Sequence, residues 1–150
     1  MTTRTLLFGA PAATGAPVRG VDAGLLVLRL GMFALLAFAH GMGKLPVSPD
    51  FVAGTAAMGF PLPAVFAWAA ALSEFAGGLL LAIGLLTRPA AVLVGITMFV
   101  AWVGVHGAAL TGENSGEMAF LYLIGAVVLG IAGPGRYSVD AAVSRRSVGY

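Results

Sequence analysis

The chain has no cysteine among its 150 residues. Disulfides, thiol–disulfide relays, iron–sulfur clusters and thiolate zinc sites are excluded together. Compartment is left open, because a membrane chain without thiols suits either side. Charge is the second shortage. Only 9% of residues are Asp, Glu, Lys or Arg against 59% hydrophobic, and mean hydropathy is +0.99. Too few polar side chains remain to cover a globule, so lipid must serve as much of the solvent. The net charge of +2 comes from eight cations in no dense run. The basic stripe that nucleic-acid binding needs is therefore missing. No stretch alternates with the period of a barrel strand, which leaves helices as the spanning form.

What is present is a set of apolar runs near the ~20 residues needed to cross a bilayer. They cover 21–42, 62–86, 90–110 and, shorter, 116–132. Pro61 and Pro63 open the second, Thr87-Arg88-Pro89 is read as a tight turn before the third, and Gly133-Pro134-Gly135 closes the fourth. The expectation is an all-α integral membrane four-helix bundle over 21–135, with a flexible leader over 1–20 and a polar tail over 136–150. Ala37-Phe38-Ala39 mimics a signal-cleavage site, but Arg29 interrupts the run before it. The first helix is read as retained. Arg4, Arg19, Arg88, Arg136, Arg145 and Arg146 fall on one side of a four-span arrangement and Lys44 alone on the other, with Asp50, Glu113 and Glu117. The positive-inside rule then puts both termini in the cytoplasm. In the outer loop between helices one and two, Ser48-Pro49-Asp50 has the chemistry of a helix start. A short interfacial helix or lid is expected there, with an irregular loop as the alternative.

The ionisable residues inside these runs carry the functional question, because a charge at mid-bilayer costs about 2.5–3.5 kcal/mol on insertion scales. Helix one carries Arg29, His40 and Lys44; offsets of 11 and 15 residues rotate by about 20° and 60°, so all three are read onto one face. In helix two, Ala70-Glu74-Gly78-Ala82 forms a small-residue ladder around the acid, which turns Glu74 toward a neighbouring helix. The reading pairs Arg29 with Glu74 as a buried polar core. Above it, His40, Lys44, Trp102, His106 and Glu117 are candidates to line an outward-facing polar cavity. Two histidines at like depth can ligate a b-type haem, but the spacing signal is weak. A zinc site from His40, His106 and Glu117 is weaker still, and no metal is assigned.

Several motifs in order resemble the DoxX family of small bacterial membrane proteins. They are Arg29-Leu30-Gly31, His40-Gly41-Met42-Gly43-Lys44-Leu45, Met58-Gly59-Phe60-Pro61, Ser73-Glu74-Phe75-Ala76-Gly77-Gly78, Gly84-Leu85-Leu86-Thr87-Arg88, and the closing Gly133-Pro134-Gly135-Arg136-Tyr137-Ser138-Val139-Asp140. The resemblance runs from about Val21 to Asp140. It implies a four-helix integral membrane protein; some relatives are subunits of a thiosulfate:quinone oxidoreductase, others are linked to membrane redox complexes, and many have no assigned reaction.

Two functional readings follow. In the first, the chain is a redox-associated subunit that binds a quinone or similar amphipathic ligand, with His40, His106 and Lys44 donating hydrogen bonds and Trp102 stacking. It carries no recognised electron carrier, so a redox partner protein or bound cofactor would supply electrons. In the second, the chain is a non-enzymatic scaffold or small transporter. There the Arg29–Glu74 pair is structural and the tail motif Arg136, Tyr137, Asp140 docks a partner. Homo-oligomerisation is compatible with both.

Overall fold

The computed structural model describes residues 19–146. The leader read over 1–20 lies outside them except for its last two residues, as does the end of the tail, 147–150. Six helices order the described residues: α1 (Gly20–Lys44), α2 (Pro49–Ala57), α3 (Pro63–Ile83), α4 (Thr87–Val105), α5 (Glu117–Ala132) and α6 (Val139–Arg146). Helices α1, α3 and α4 are long and apolar enough to cross a membrane, and α5 is a shorter apolar helix. No strand occurs among the described residues.

The helix ends follow from local chemistry. Pro63 occupies the first turn of α3, where no intrahelical N–H is lost. Gly84 ends that helix in the left-handed region, at φ 69°, and Leu85 N–H returns to the Leu80 carbonyl at 2.9 Å. The turn between α3 and α4 is therefore Gly84–Leu86; the expected turn Thr87-Arg88-Pro89 is instead the first turn of α4. Helix α4 stops at Val105, short of the expected 110, because Gly107 and Ala108 adopt positive φ of 58° and 59°. Ser48 caps α2 through its Oγ, which accepts from Phe51 N–H at 3.2 Å. The short helix in this loop is thus present.

Small residues let the helices close on one another. A Cβ on Gly78 would lie 3.0 Å from the Phe33 carbonyl oxygen, one on Gly77 2.8 Å from Val94 Cγ2, and one on Gly125 3.0 Å from Met32 Cε. Helices α1, α3, α4 and α5 consequently form a ring, α1 touching α3 and α5 and α4 touching α3 and α5. Phe33, Leu36, Leu81, Val94, Met98, Tyr122 and Leu129 fill the middle. Outside, Val27, Val92, Ile96 and Ile131 are among many large apolar side chains left exposed, an apolar coat suited to lipid.

Helices α1 and α3 are offset along their axes. A Cβ on Gly41 would overlap the backbone of Glu74 and Phe75, and Gly78 lies against Phe33 and Ala37. The midpoint of α1 is residue 32, yet residue 41 sits level with the midpoint of α3. Helix α1 is thus displaced by about nine residues, about 14 Å. Its far end stops near mid-height of α3, and α2 packs against Pro63–Leu72, the half of α3 that α1 does not reach.

Candidate functional site

The displacement decides which cation meets Glu74. Lys44, at the end of α1, reaches Glu74 Oε1 at 2.5 Å. Glu74 is 3% exposed. The Lys44 ammonium also lies 5.4 Å from the centroid of the Phe51 ring on α2, close enough for a cation–π contact. Arg29 is fully buried as well, but it does not pair with Glu74. Its guanidinium donates to the Tyr137 carbonyl and packs on Gly84, where a Cβ would collide with it. Asp140 supplies its counter-charge. Ten residues of α3, about 15 Å, separate Gly84 from Glu74. The expected Arg29–Glu74 pair is corrected to two separate centres.

A second cause of that error lies in the helices. Among the described residues four turns are wound wide, as π-helix: Arg29–Phe33, Leu36–Gly41, Ser73–Gly77 and Ala101–Val105. Each adds roughly one residue to its turn and so shifts the helical phase by about 100°. The 11-residue spacing no longer keeps Arg29 and His40 on one face, and His40 is exposed where Arg29 is buried. These four turns carry Arg29, His40, Glu74 and Trp102 respectively, and such turns concentrate at functional positions.

Around Glu74 the polar atoms are incompletely satisfied. Oε2 of Glu74 and the hydroxyl of Tyr122 are both buried without a hydrogen-bond partner in the protein. Tyr122 is 2% exposed and its hydroxyl interacts electrostatically with Glu74. The His40 ring meets the Tyr122 ring edge-on, centroids 5.6 Å apart. Tyr122, in the second turn of α5, is not among the sequence candidates, and a lone tyrosine in an apolar helix carries little signal. Lys44, Glu74, Tyr122 and His40 form the first centre.

The other candidates fall elsewhere. Trp102 packs against Phe120, ring centroids 4.6 Å apart and planes inclined at 49°, and its buried Nε1 has no partner in the protein. His106 Nδ1 faces the Asn114 carbonyl and side-chain oxygens at 3.2 and 3.3 Å. Glu117 is exposed at the start of α5. Each histidine thus has its own neighbour, and no group of three or more His, Asp or Glu gathers among the described residues.

At the opposite end of the ring the tail motif is drawn into the structure. Asp140, 1% exposed, accepts from Leu86 N–H at 2.8 Å and Thr87 N–H at 2.9 Å. It caps α4 from another element, satisfying amides that the helix leaves open. Its own N–H returns to the Gly84 carbonyl. Arg136 N–H donates to Asp22 Oδ1 at 2.8 Å, tying the tail to α1; Asp22 drew no attention in the sequence. The Arg136 side chain and the Tyr137 ring remain exposed.

Apolar helices of spanning length around buried charged centres define a multi-pass helical membrane protein. The chain belongs to the DoxX family, whose model matches residues 24–107. It is 32% identical over 133 residues to the inner membrane protein YqjF of Escherichia coli (strain K12), an alignment covering 83% of this chain and 95% of that protein. No solved structure matches it.

Proposed function

We propose that this chain is a redox-associated subunit of a bacterial inner membrane complex, binding a quinone or similar amphipathic ligand at the Lys44–Glu74–Tyr122 centre. One observation carries the reading: the Glu74 carboxylate oxygen Oε2 and the Tyr122 hydroxyl are both buried without a protein partner, and the Glu74 charge acts on Tyr122. Unpaired buried polar groups cost about 1–3 kcal/mol each, and a ligand that pairs them recovers it. A quinone oxygen can accept from the Tyr122 hydroxyl, and a quinol hydroxyl can donate to Glu74 Oε2. Lys44 balances the carboxylate charge. The electrons come from a partner protein, since no resident carrier is assigned to this chain. The redox context rests on the family resemblance, and the inner membrane location on the name of the relative in Escherichia coli.

The topology belongs to the same reading. Helix α5 has 16 residues, about 24 Å, and completes a fourth span if flanking residues share the remaining depth. Arg88, Arg136, Arg145 and Arg146 then mark the cytoplasmic side, and α2 lies at the outer side beside the Lys44–Glu74 pair.

The test is extraction of the protein in polymer discs of native membrane, followed by mass spectrometry of the bound lipids. Quinone is expected at near one per chain, reduced about fivefold by Tyr122→Phe, the value of one neutral hydrogen bond. That substitution removes an unsatisfied hydroxyl, so thermal stability should hold or rise. Glu74→Gln should reduce retention further. Discs without quinone, or a Tyr122→Phe protein that loses stability and keeps its quinone, would return the centre to a purely structural role. In that second reading the Lys44–Glu74 pair orders the helices of a scaffold.

A further inference from the structure

Between the end of α3 and helix α6 lies an open surface groove of about 520 Å³. Arg136, Arg145 and Arg146 line it, and no carboxylate does. Asp140, the acid of this segment, is turned away onto the α4 amides. None of the three arginines has an ion-pair partner among the described residues. Arg145 Nη1 lies 3.4 Å from the Arg136 carbonyl oxygen, which draws the two ends of the groove together. The remaining wall is apolar: Ile83 on the flank of spanning helix α3 is 48% exposed, Tyr137 48% and Val143 39%.

We infer that this groove binds the phosphodiester headgroup of an anionic phospholipid. The three guanidiniums supply the charge and forked donors that a phosphate matches. Ile83, Val143 and the Tyr137 ring continue toward the apolar coat of the bundle, where a glycerol backbone and acyl chains lie and a soluble anion would find nothing to bind. The position at the end of a spanning helix is headgroup depth. This site is separate from the Glu74 centre and does not depend on its ligand.

Native mass spectrometry of the delipidated full chain, titrated with phosphatidylglycerol and with phosphatidylcholine of the same acyl chains, tests it. The anionic lipid should bind more tightly. Arg136→Gln, Arg145→Gln and Arg146→Gln should each weaken it about fivefold while phosphatidylcholine binding stays constant. A triple Arg→Lys variant should bind better than the triple Arg→Gln variant. Equal binding of the two lipids by the unaltered chain overturns the proposal, as does a triple Gln variant that keeps the preference. A triple Lys variant as weak as the triple Gln variant makes the loss structural and has the same result. Displacement of the lipid by equimolar inorganic phosphate would make this a free-anion site and overturn the lipid assignment.

Discussion

At the scale of single residues, the two buried carboxylates serve separate centres, Glu74 at mid-height of α3 and Asp140 at the start of α4. Asp140 places both oxygens on backbone amides at the start of α4, and its charge balances Arg29. Replacing it with Ala leaves two amides without their acceptor and a buried guanidinium without the nearby negative charge. Asp140→Ala should therefore lower stability by about 2 kcal/mol or more, read as an earlier loss of the monodisperse elution peak on heating in detergent. Unchanged stability would mean that water serves those amides equally well. The burial of Arg29 and Glu74 was legible in the sequence, because a charge within an apolar run has few other places to go. Their partners were not legible. Side-chain type gives no helix-to-helix offset, and the lysine that reaches Glu74 comes from the last residue of α1, where sequence reading places a cation at the mouth. The capping role of Asp140 was not legible for a related reason: the residue sits in a polar segment, and only the folded turn at Gly84–Leu86 shows what it holds.

At the scale of elements, glycine sets how near the helices come. A Cβ on Gly41 would lie 2.4 Å from Phe75 N and 2.7 Å from Glu74 C, backbone that cannot step aside. Gly41→Ala should force α1 from α3, costing about 1–3 kcal/mol and loosening the Lys44–Glu74 pair. Gly54 on α2 has nothing within 4 Å of the same position. There Ala should be neutral or stabilise by up to about 1 kcal/mol. Thermal unfolding of the two variants side by side checks the contrast, and equal behaviour would remove close packing as the reason for Gly41. The helices themselves were readable as apolar runs, since a bilayer fixes their length. The wide turns were not. Leu36–Gly41 and Ser73–Gly77 read as continuous parts of apolar helices, with no sequence feature that marks an extra residue in the turn.

At the scale of the whole molecule, the remaining question is how the ring sits in the membrane. The chain lacks cysteine, so any introduced thiol is unique and the parent protein gives no background. Glu113→Cys lies in the exposed loop before α5, and Arg146→Cys at the end of α6. A membrane-impermeant maleimide should label the first in intact cells and the second only after permeabilisation. The reverse pattern would invert the orientation, and labelling of both from one side would show that α5 does not cross. The cap on α4 also has a consequence for synthesis. Spanning segments enter the bilayer in chain order, yet the amides at the head of α4 are closed by a residue made more than fifty positions later. Until Asp140 arrives, that helix end stays open and Arg29 lacks its counter-charge, so an interrupted chain carries two exposed defects at one place. Closure of this end therefore waits on α6, and insertion of α4 precedes the capping of its own first turn.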